Sequence, residues 1–306
     1  MMRPGCSRPT LYVESIPDRG GTQLMNMPTH FSHLLRDWLP RFWACQQRLA
    51  APDGPLFVPT MAQPLYREVV EAFAPGTRLT DELSQCAVNC THRAPDEEYW
   101  RAYREQRNNT GQRCQSSADV VLALRGTDPR MEAARRTLPK RKGASGAGRR
   151  TIANEDATWA VVRRFAARHG LTSERARYEE LPFAQQRRAT CRAIIHVCQH
   201  GGAIGHTLWS SAQRPVVVQL PPWGHARAWW DGILDANGVR VLMSEGHHVV
   251  PLYNHTSTKR RRDGDESSMG AVLVDPSRLD SDLERALALS RRAPAQGGTT
   301  RTGRHR

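Results

Sequence analysis

A glycine-rich turn follows a short apolar run in the second half of the chain, and its residue types suit phosphate binding. The run AIIHVC, at 193–198, leads into QHGGAIGH, which contains His200, Gly201 and Gly202. At the carboxyl end of a parallel strand, such a turn brings backbone N–H groups and a helix dipole toward a phosphate. His200 can donate a hydrogen bond to a diphosphate or a ribose. The competing interpretation is a tight strand-to-helix turn without a ligand.

The same region contains residue types that bind zinc. These are Cys191, His196, Cys198, His200 and His206. Structural zinc sites use closely spaced pairs of ligands, and no CxxC knuckle is present here. Cys198 is better interpreted as a core residue. We therefore predict no metal site.

A histidine and an aspartate in the N-terminal half have the spacing of a general base and its partner. In HFSHLLRD, His33 and Asp37 stand four residues apart, on one face of a predicted helix. A carboxylate in that position can orient an imidazole so that it removes a proton. A surface ion pair or a capping interaction is the competing interpretation.

The apolar pattern predicts the elements that position these residues. Strands are predicted at PLFVP, DVVLAL, AIIHVC, PVVVQL, RVLM and AVLVD. Helices are predicted over 29–49, interrupted at Pro40, over about 64–73, from the cap Asn154 to Gly170, through Trp229, and from Asp275 and Pro276 onward. Residues 81–113 are predicted to be loops and helix fragments, and 140–150 a flexible loop. Alternating strands and helices predict an open, parallel α/β sheet in the C-terminal half.

Composition bounds the classes of protein to which the chain can belong. A length of 306 residues favours two packed lobes, and a formal charge of +14 suggests a polyanionic partner. No base-stacking motif or nucleic-acid module is present, so nucleic acid is not the predicted partner. No segment has the apolar length of a bilayer span. Cys86 and Cys90 are spaced for a helical pair or a disulfide, and the sequence does not decide between thiol and bridge.

Three separated blocks follow one another in a characteristic order. SHLLRDWLP comes first, TLPKR with Arg149, Arg150 and TIANED comes second, and EELPFAQQ with AIIHVCQHGGAIGH comes third. In this order and spacing the chain resembles glycosyltransferase family 61, which includes plant xylosyl- and arabinosyltransferases and animal O-linked N-acetylglucosaminyltransferases. The resemblance implies a donor-binding role for Arg141, Arg149, Arg150, Asn154, Glu180, Gln186, His200, Gly201, Gly202 and His206.

The chain departs from the family pattern at a few of these positions. Gly202 stands where alanine is usual, His206 where asparagine is usual, and Gln219 where glutamate commonly follows the next strand. Arg125, after DVVLAL, is an alternative to Arg141 as the arginine that follows a strand. These differences leave a non-catalytic, glycan-binding relative as one alternative function and a basic nucleic-acid-binding protein as another.

The resemblance implies a fold and an activity. The fold is α/β, with two Rossmann-like lobes facing across a cleft (GT-B type) and with part of the first lobe missing from the match. The lobes are expected at 11–130 for the acceptor and at 131–292 for the donor, followed by a disordered basic tail at 293–306.

The implied activity is an inverting transfer of a sugar from a nucleotide-sugar, expected to be a UDP-sugar, to a glycan or glycoprotein acceptor. His33 or Asp37 would act as the base, and Arg141 and Arg150 with the His200 turn would stabilise the departing diphosphate. Arginines and helix N–H groups can neutralise that charge, so no metal cofactor is expected. The family implies the lumen of the Golgi or endoplasmic reticulum, whereas the opening residues MMRPGCSRPT show no targeting signal, so a soluble cytoplasmic form is the alternative.

Overall fold

The computed structural model describes residues 11–12, 35, 39–49, 56–57, 68–69, 78–80, 88–90, 96–109, 118–124, 151–199, 201–220, 230–250 and 271–291. The strands in these ranges are β1 (Leu11–Tyr12), β2 (Leu56–Phe57), β3 (Leu79–Thr80), β4 (Val88–Asn89), β5 (Val120–Leu124), β6 (Ser173–Arg177), β7 (Ile195–Gln199), β8 (Val216–Leu220), β9 (Arg240–Met243), β10 (His248–Val250) and β11 (Ala271–Leu273). The α-helices are α1 (Leu39–Leu49), α2 (Asp96–Asn109), α3 (Glu155–Arg168), α4 (Phe183–Thr190), α5 (Asp231–Ala236) and α6 (Pro276–Arg291). Two 3-10 helices cover Tyr178–Glu180 and Gly202–Trp209.

A parallel sheet of five strands organises the second half of the chain. Its order is β6-β5-β7-β8-β9, and each neighbouring pair is parallel. The three inner strands are buried along their whole length because helices cover both faces, and valine, leucine and isoleucine dominate them. The expected α/β class with a parallel, Rossmann-like sheet is confirmed.

The two faces of the sheet bury alternate residues of each strand. On β5, Val120 and Leu122 pack toward α3 and α6, whereas Val121 and Ala123 belong to the core beneath α4 and α5. We call the face covered by α3 and α6 the first face and the face covered by α4 and α5 the second face. The connection from β5 to β6 runs through α3 on the first face. The connections from β6 to β7, from β7 to β8 and from β8 to β9 run in the opposite direction and lie on the second face, because crossovers between parallel strands are right-handed. The result is a sheet between two helical layers.

The N-terminal elements pack onto the second face. Helix α2 lies against α5, and its Trp100 and Tyr103 share one hydrophobic core with strand residues such as Val121. The strands β1 to β4 form a small parallel sheet in the order β3-β2-β1-β4. A disulfide joins Cys45 of α1 to Cys90, with 5.4 Å between the Cα atoms. A disulfide between Cys86 and Cys90, one of the two alternatives that their spacing leaves open, is therefore excluded, because Cys90 is bonded to Cys45.

Most of the predicted elements occur close to their expected places. The apolar runs form β2, β5, β7, β8, β9 and β11, and the predicted caps bound α3 and α6. Gly170 has the expected left-handed conformation, with a φ of 65°. The prediction of loops and helix fragments over 81–113 is wrong for 96–109, where α2 runs unbroken for 14 residues. Pro40 lies in the first turn of α1, where its missing N–H costs no hydrogen bond.

The five-stranded sheet includes one strand from before the expected domain boundary at residue 130 and four strands from after it. Its strand β5 lies before that boundary and pairs with β6 and β7, which lie after it. The loop predicted at 140–150 and the basic tail at 293–306 lie outside the described residues. Among the helices that are described, none combines the length and apolar character needed to cross a bilayer.

Candidate functional site

The order of the strands marks the place where a ligand crevice is expected. From β5 the chain moves outward to β6 and then returns to the other side of β5 to form β7. In open parallel sheets, ligands bind outside the carboxyl ends of the strands at such a point of reversal. The two strand ends here are Leu124 and Gln199. The turn that follows β7 therefore lies at the expected ligand position.

The turn after β7 requires a glycine at position 201. Gly201 has a φ of 147° and a ψ of −157°, a conformation that side chains with a Cβ rarely adopt. Its carbonyl accepts the N–H of Ile204 at 3.2 Å, which opens the 3-10 helix. Gly201, Gly202 and Ala203 remain partly exposed, and the helix is buried from Ile204 onward. The predicted turn is thus present, with its first backbone groups at the surface.

The chain at Thr151 lies beside the end of β7. The side-chain nitrogen of Gln199 donates to the Thr151 carbonyl at 2.7 Å, and the N–H of Val272 donates to the same oxygen at 2.8 Å. Thr151 directly follows Arg150, and Gln199 directly precedes His200. Arg150 and His200 are both expected to bind the diphosphate, and the residues next to them in the chain are therefore hydrogen-bonded to each other.

Asn154 occupies the predicted cap position of α3, but its side chain bonds elsewhere. The amide nitrogen donates to the Val274 carbonyl at 2.8 Å, and the amide oxygen accepts the Val274 N–H at 2.9 Å. No side-chain cap bond to α3 forms. Asn154 therefore ties the start of α3 to the chain that follows β11, and this geometry supports a structural role.

Gln186 and Glu180 differ in their access to a ligand. Gln186 is 1% exposed, and its side-chain nitrogen donates to the carbonyls of Tyr178 and Leu181, each at 2.8 Å. Both of its amide hydrogens are used in closing the 3-10 turn at Tyr178–Glu180. Glu180 is exposed at the end of that turn. Gln186 shapes the turn, whereas the Glu180 carboxylate can be reached from solvent.

His206 lies in a buried group that we call the Tyr178 cluster, consisting of Tyr178, His196 and His206. The ring of His206 stacks on that of Tyr178 with 3.9 Å between centroids, and the Tyr178 hydroxyl lies 2.8 Å from His196 Nε2. His206 is 4% exposed. It therefore packs the 3-10 helix against the turn after β6 and does not line the surface.

Burial keeps the two imidazoles of the Tyr178 cluster neutral. It lowers the pKa of His196 to about 3. Burial, with the nearby His196 as a second cause, lowers the pKa of His206 well below its usual value. Burial also raises the pKa of Tyr178. The cluster is thus uncharged at neutral pH, and within the described part of the chain His196 Nδ1 has no hydrogen-bond partner.

A charged pair that the sequence pattern does not reveal lies at the same edge of the sheet. Arg177, the last residue of β6, forms an ion pair with Glu155 in the first turn of α3. Only Ala176 of the strand SERAR is buried, so the apolar pattern gave no sign of β6. The sequence feature that could have indicated this pair is Arg177 before the acidic turn YEE. Its spacing alone does not distinguish it from an arginine in a solvated loop.

Several of the predicted site residues lie outside the described residues. These are His33, Asp37, Arg141, Arg149, Arg150 and His200. Among the described residues, no group of three or more histidine, cysteine, aspartate or glutamate side chains is arranged to hold a metal ion.

Neither the known protein families nor the curated proteins to which the chain was compared include a match. The strand order, the Gly201 turn and the contact between Gln199 and Thr151 are therefore the observations from which a function is inferred.

Proposed function

We propose that the chain is a glycosyltransferase that binds a UDP-sugar at the carboxyl edge of the five-stranded sheet, around Gly201. The observation that carries the proposal is the place of the Gly201 turn, which follows β7 at the reversal of strand order. Backbone N–H groups at such a turn suit a diphosphate. Glycine at this position lets the ligand approach the backbone closely.

The contact between Gln199 and Thr151 supports a shared role for Arg150 and His200. It holds the two flanking segments together at 2.7 Å. An inverting transfer leaves a nucleoside diphosphate, whose growing negative charge needs nearby positive groups and N–H donors. A guanidinium can bind two diphosphate oxygens at once. Arg150, with Arg141 or Arg149, would supply this charge without a metal ion.

The described geometry divides the expected donor-binding residues into two groups. Gly201, Gly202 and Glu180 lie at the accessible edge and are proposed to contact the donor. Gln186 and His206 are buried, so we propose that they support the turns on which the donor rests. This division makes the unusual histidine at position 206 a packing substitution.

The N-terminal small sheet supports a first Rossmann-like lobe that binds the acceptor. Its order of β3-β2-β1-β4 is the order in which a dinucleotide-binding half begins. In this GT-B arrangement, His33 or Asp37 would remove the proton from an acceptor hydroxyl on a glycan or glycoprotein. The acceptor oxygen, having lost its proton to this base, would attack the anomeric carbon from the side opposite the departing diphosphate, which gives inversion.

The disulfide between Cys45 and Cys90 supports an oxidising compartment. Disulfides persist in the secretory pathway and outside the cell, whereas cytosolic thiols are kept reduced. Cys191 is also disulfide-bonded. We therefore propose that the protein acts in an oxidising compartment, for which the family resemblance implies the lumen of the Golgi or endoplasmic reticulum.

A titration with UDP and UDP-sugars tests the site. Gly201→Ala is expected to weaken binding by at least about tenfold, because a Cβ at this φ forces the turn to move. Gly170→Ala is the matched control, since Gly170 also has a positive φ but lies before β6, at the opposite edge of the sheet. Calorimetry gives the affinities, and thermal unfolding shows how far each variant is destabilised.

Absence of UDP binding by the unaltered chain would contradict the nucleotide site, and so would equal losses in both glycine variants. The transferase activity needs a second measurement. Hydrolysis or transfer of the bound sugar, lost in His200→Ala, is the result expected of an enzyme. Binding of UDP without turnover of any UDP-sugar would instead favour a non-catalytic relative.

A further inference from the structure

A second buried histidine group lies on the other side of the sheet and plays no part in the proposed donor site. We call it the Ser244 network: Ser244, His247, Asp275 and Asp282. Ser244 follows β9, and its N–H donates to the Gln219 carbonyl at 3.0 Å. Its hydroxyl lies 2.6 Å from Asp282 Oδ2 and 2.7 Å from His247 Nε2. The network thus joins the end of β9 to α6.

The hydrogen bonds of this network have a unique direction. The N–H of Asp275 lies 3.1 Å from His247 Nδ1, and because a backbone N–H can only donate, Nδ1 must accept. A neutral imidazole then carries its proton on Nε2 and donates it to Ser244. The Ser244 hydroxyl in turn donates to Asp282. Each polar atom of the imidazole is used.

This arrangement does not form a nucleophilic site, although it contains serine, histidine and aspartate. In such sites the carboxylate accepts the proton of Nδ1 while Nε2 accepts the serine proton. Here Nδ1 accepts a backbone N–H, and the serine donates to the carboxylate. Ser244 is 0% exposed, so a substrate has no access to its oxygen.

A proton added to His247 would break the network at one point. It would place a hydrogen on Nδ1, facing the Asp275 N–H at 3.1 Å, so that two donors would oppose each other. The same N–H belongs to the residue that caps α6, since Asp275 Oδ1 accepts the N–H of Arg278 at 2.8 Å. Protonation therefore separates the segment at 244–247 from the start of α6.

The charges that face His247 come mainly from α6 and its cap. Asp282 is fully buried and lies between Arg285, at 2.9 Å, and Arg278, at 3.4 Å. These arginines balance its charge, so the carboxylate offers limited help to an imidazolium. Burial is the first cause that lowers the pKa of His247, whereas Asp282 and Asp275 oppose it.

We propose that His247 is a pH-sensitive latch that holds the segment from Ser244 to His247, which leads into β10, against the start of α6. The latch is closed when the imidazole is neutral. Because the folded pKa lies below that of an unfolded histidine, the closed state is fully favoured above the unfolded value and is lost as pH falls below it. Opening therefore becomes more frequent as the solution is acidified below the pKa of an unfolded histidine.

Hydrogen exchange of the full-length chain tests the latch. After correction for intrinsic rates, amides of 244–250 are expected to exchange about tenfold faster at about pH 5.5 than at about pH 7.5, the ratio that a group with an ordinary histidine pKa gives once released. His247→Asn is expected to remove this dependence, because its side-chain oxygen can accept the Asp275 N–H and does not titrate. The matched control is His169→Asn, which removes a partly buried histidine bonded to Glu284 at the end of α3 and is expected to leave the dependence unchanged.

A pH dependence that persists in His247→Asn, or its absence from the unaltered chain, would overturn the proposal. Exchange of 244–250 at the same rate as β7 and β8 at both pH values would also overturn it, since those amides would then open only through global unfolding. If the variant does not fold, the imidazole nitrogen shifts of the unaltered chain decide the question. A proton on Nε2 at neutral pH is expected, and a proton on Nδ1 would contradict the latch.

Discussion

The Tyr178 cluster and the Ser244 network stabilise buried imidazoles in different ways. In the Ser244 network both ring nitrogens of His247 are bonded, and the proton positions are fixed by a backbone N–H at one end and a carboxylate at the other. In the Tyr178 cluster His196 has, among the described residues, a partner at Nε2 and none at Nδ1. The first group is held by its hydrogen bonds, whereas the second depends on packing that tolerates an unbonded nitrogen.

Replacing both groups by apolar side chains is expected to show the largest difference. The double variant Ser244→Ala, His247→Leu should lower the free energy of unfolding by about 3 kcal/mol, because the Asp275 N–H and the Asp282 carboxylate lose partners. The double variant Tyr178→Phe, His196→Leu should stay within about 1 kcal/mol of the unaltered chain, because it removes an unbonded nitrogen together with its neighbour. Urea unfolding at neutral pH measures both. Equal losses would remove the distinction.

A single carboxylate tests how much of the Ser244 network depends on charge. Asp282→Asn is expected to cost about 2 kcal/mol, since the bonds it weakens are charge-assisted but its arginine partners are half-exposed. Asp280→Asn, on the same helix, removes only a surface pair with Arg168 and should cost less than about 1 kcal/mol. A loss at Asp280 as large as that at Asp282 would contradict the assignment.

Acid should affect the Tyr178 cluster by a smaller amount. The pKa of His196 is about 3 in the folded chain and near its ordinary value when unfolded, so stability is complete above the unfolded pKa and falls below it. Between about pH 7.5 and about pH 5.5, His196 alone should lower the free energy of unfolding by about 1.4 kcal/mol. Urea unfolding at the two pH values measures the loss for the unaltered chain and for the variant Tyr178→Phe, His196→Leu. The difference between the two losses is the contribution of His196. An unchanged difference between the two pH values would show that the pKa of His196 is the same in the folded and the unfolded chain.

The sequence predicted those parts of the fold that local patterns determine. The buried strands β5, β7 and β8 were recognised because an inner strand of a parallel sheet is apolar on both faces. Strand β6 was missed because it lies at the sheet edge, where a single buried residue suffices. Helix α2 was missed because Tyr99, Trp100 and Tyr103 provide its buried face among polar residues. That face is defined by contact with α5, which the local sequence does not contain.

The candidate site shows the same division between local and distant information. The turn at Gly201 could be predicted because glycines after a strand have a local physical meaning. The supporting roles of Gln186 and His206 could not, since they depend on contacts with Tyr178. The Ser244 network could not be predicted from local sequence either, because it joins residues 38 positions apart. Ligand contact by His33, Asp37, Arg141 and Arg150 remains a prediction.

The thiol of Cys198 can report how often the central strand β7 becomes exposed to solvent. Cys198 lies on β7, is fully buried, and is the free cysteine among the described residues; burial raises its pKa. An alkylating reagent can modify it only after the strand has separated from its neighbours and the thiolate has formed. The rate of alkylation therefore measures how often the middle of the sheet opens, without an introduced label.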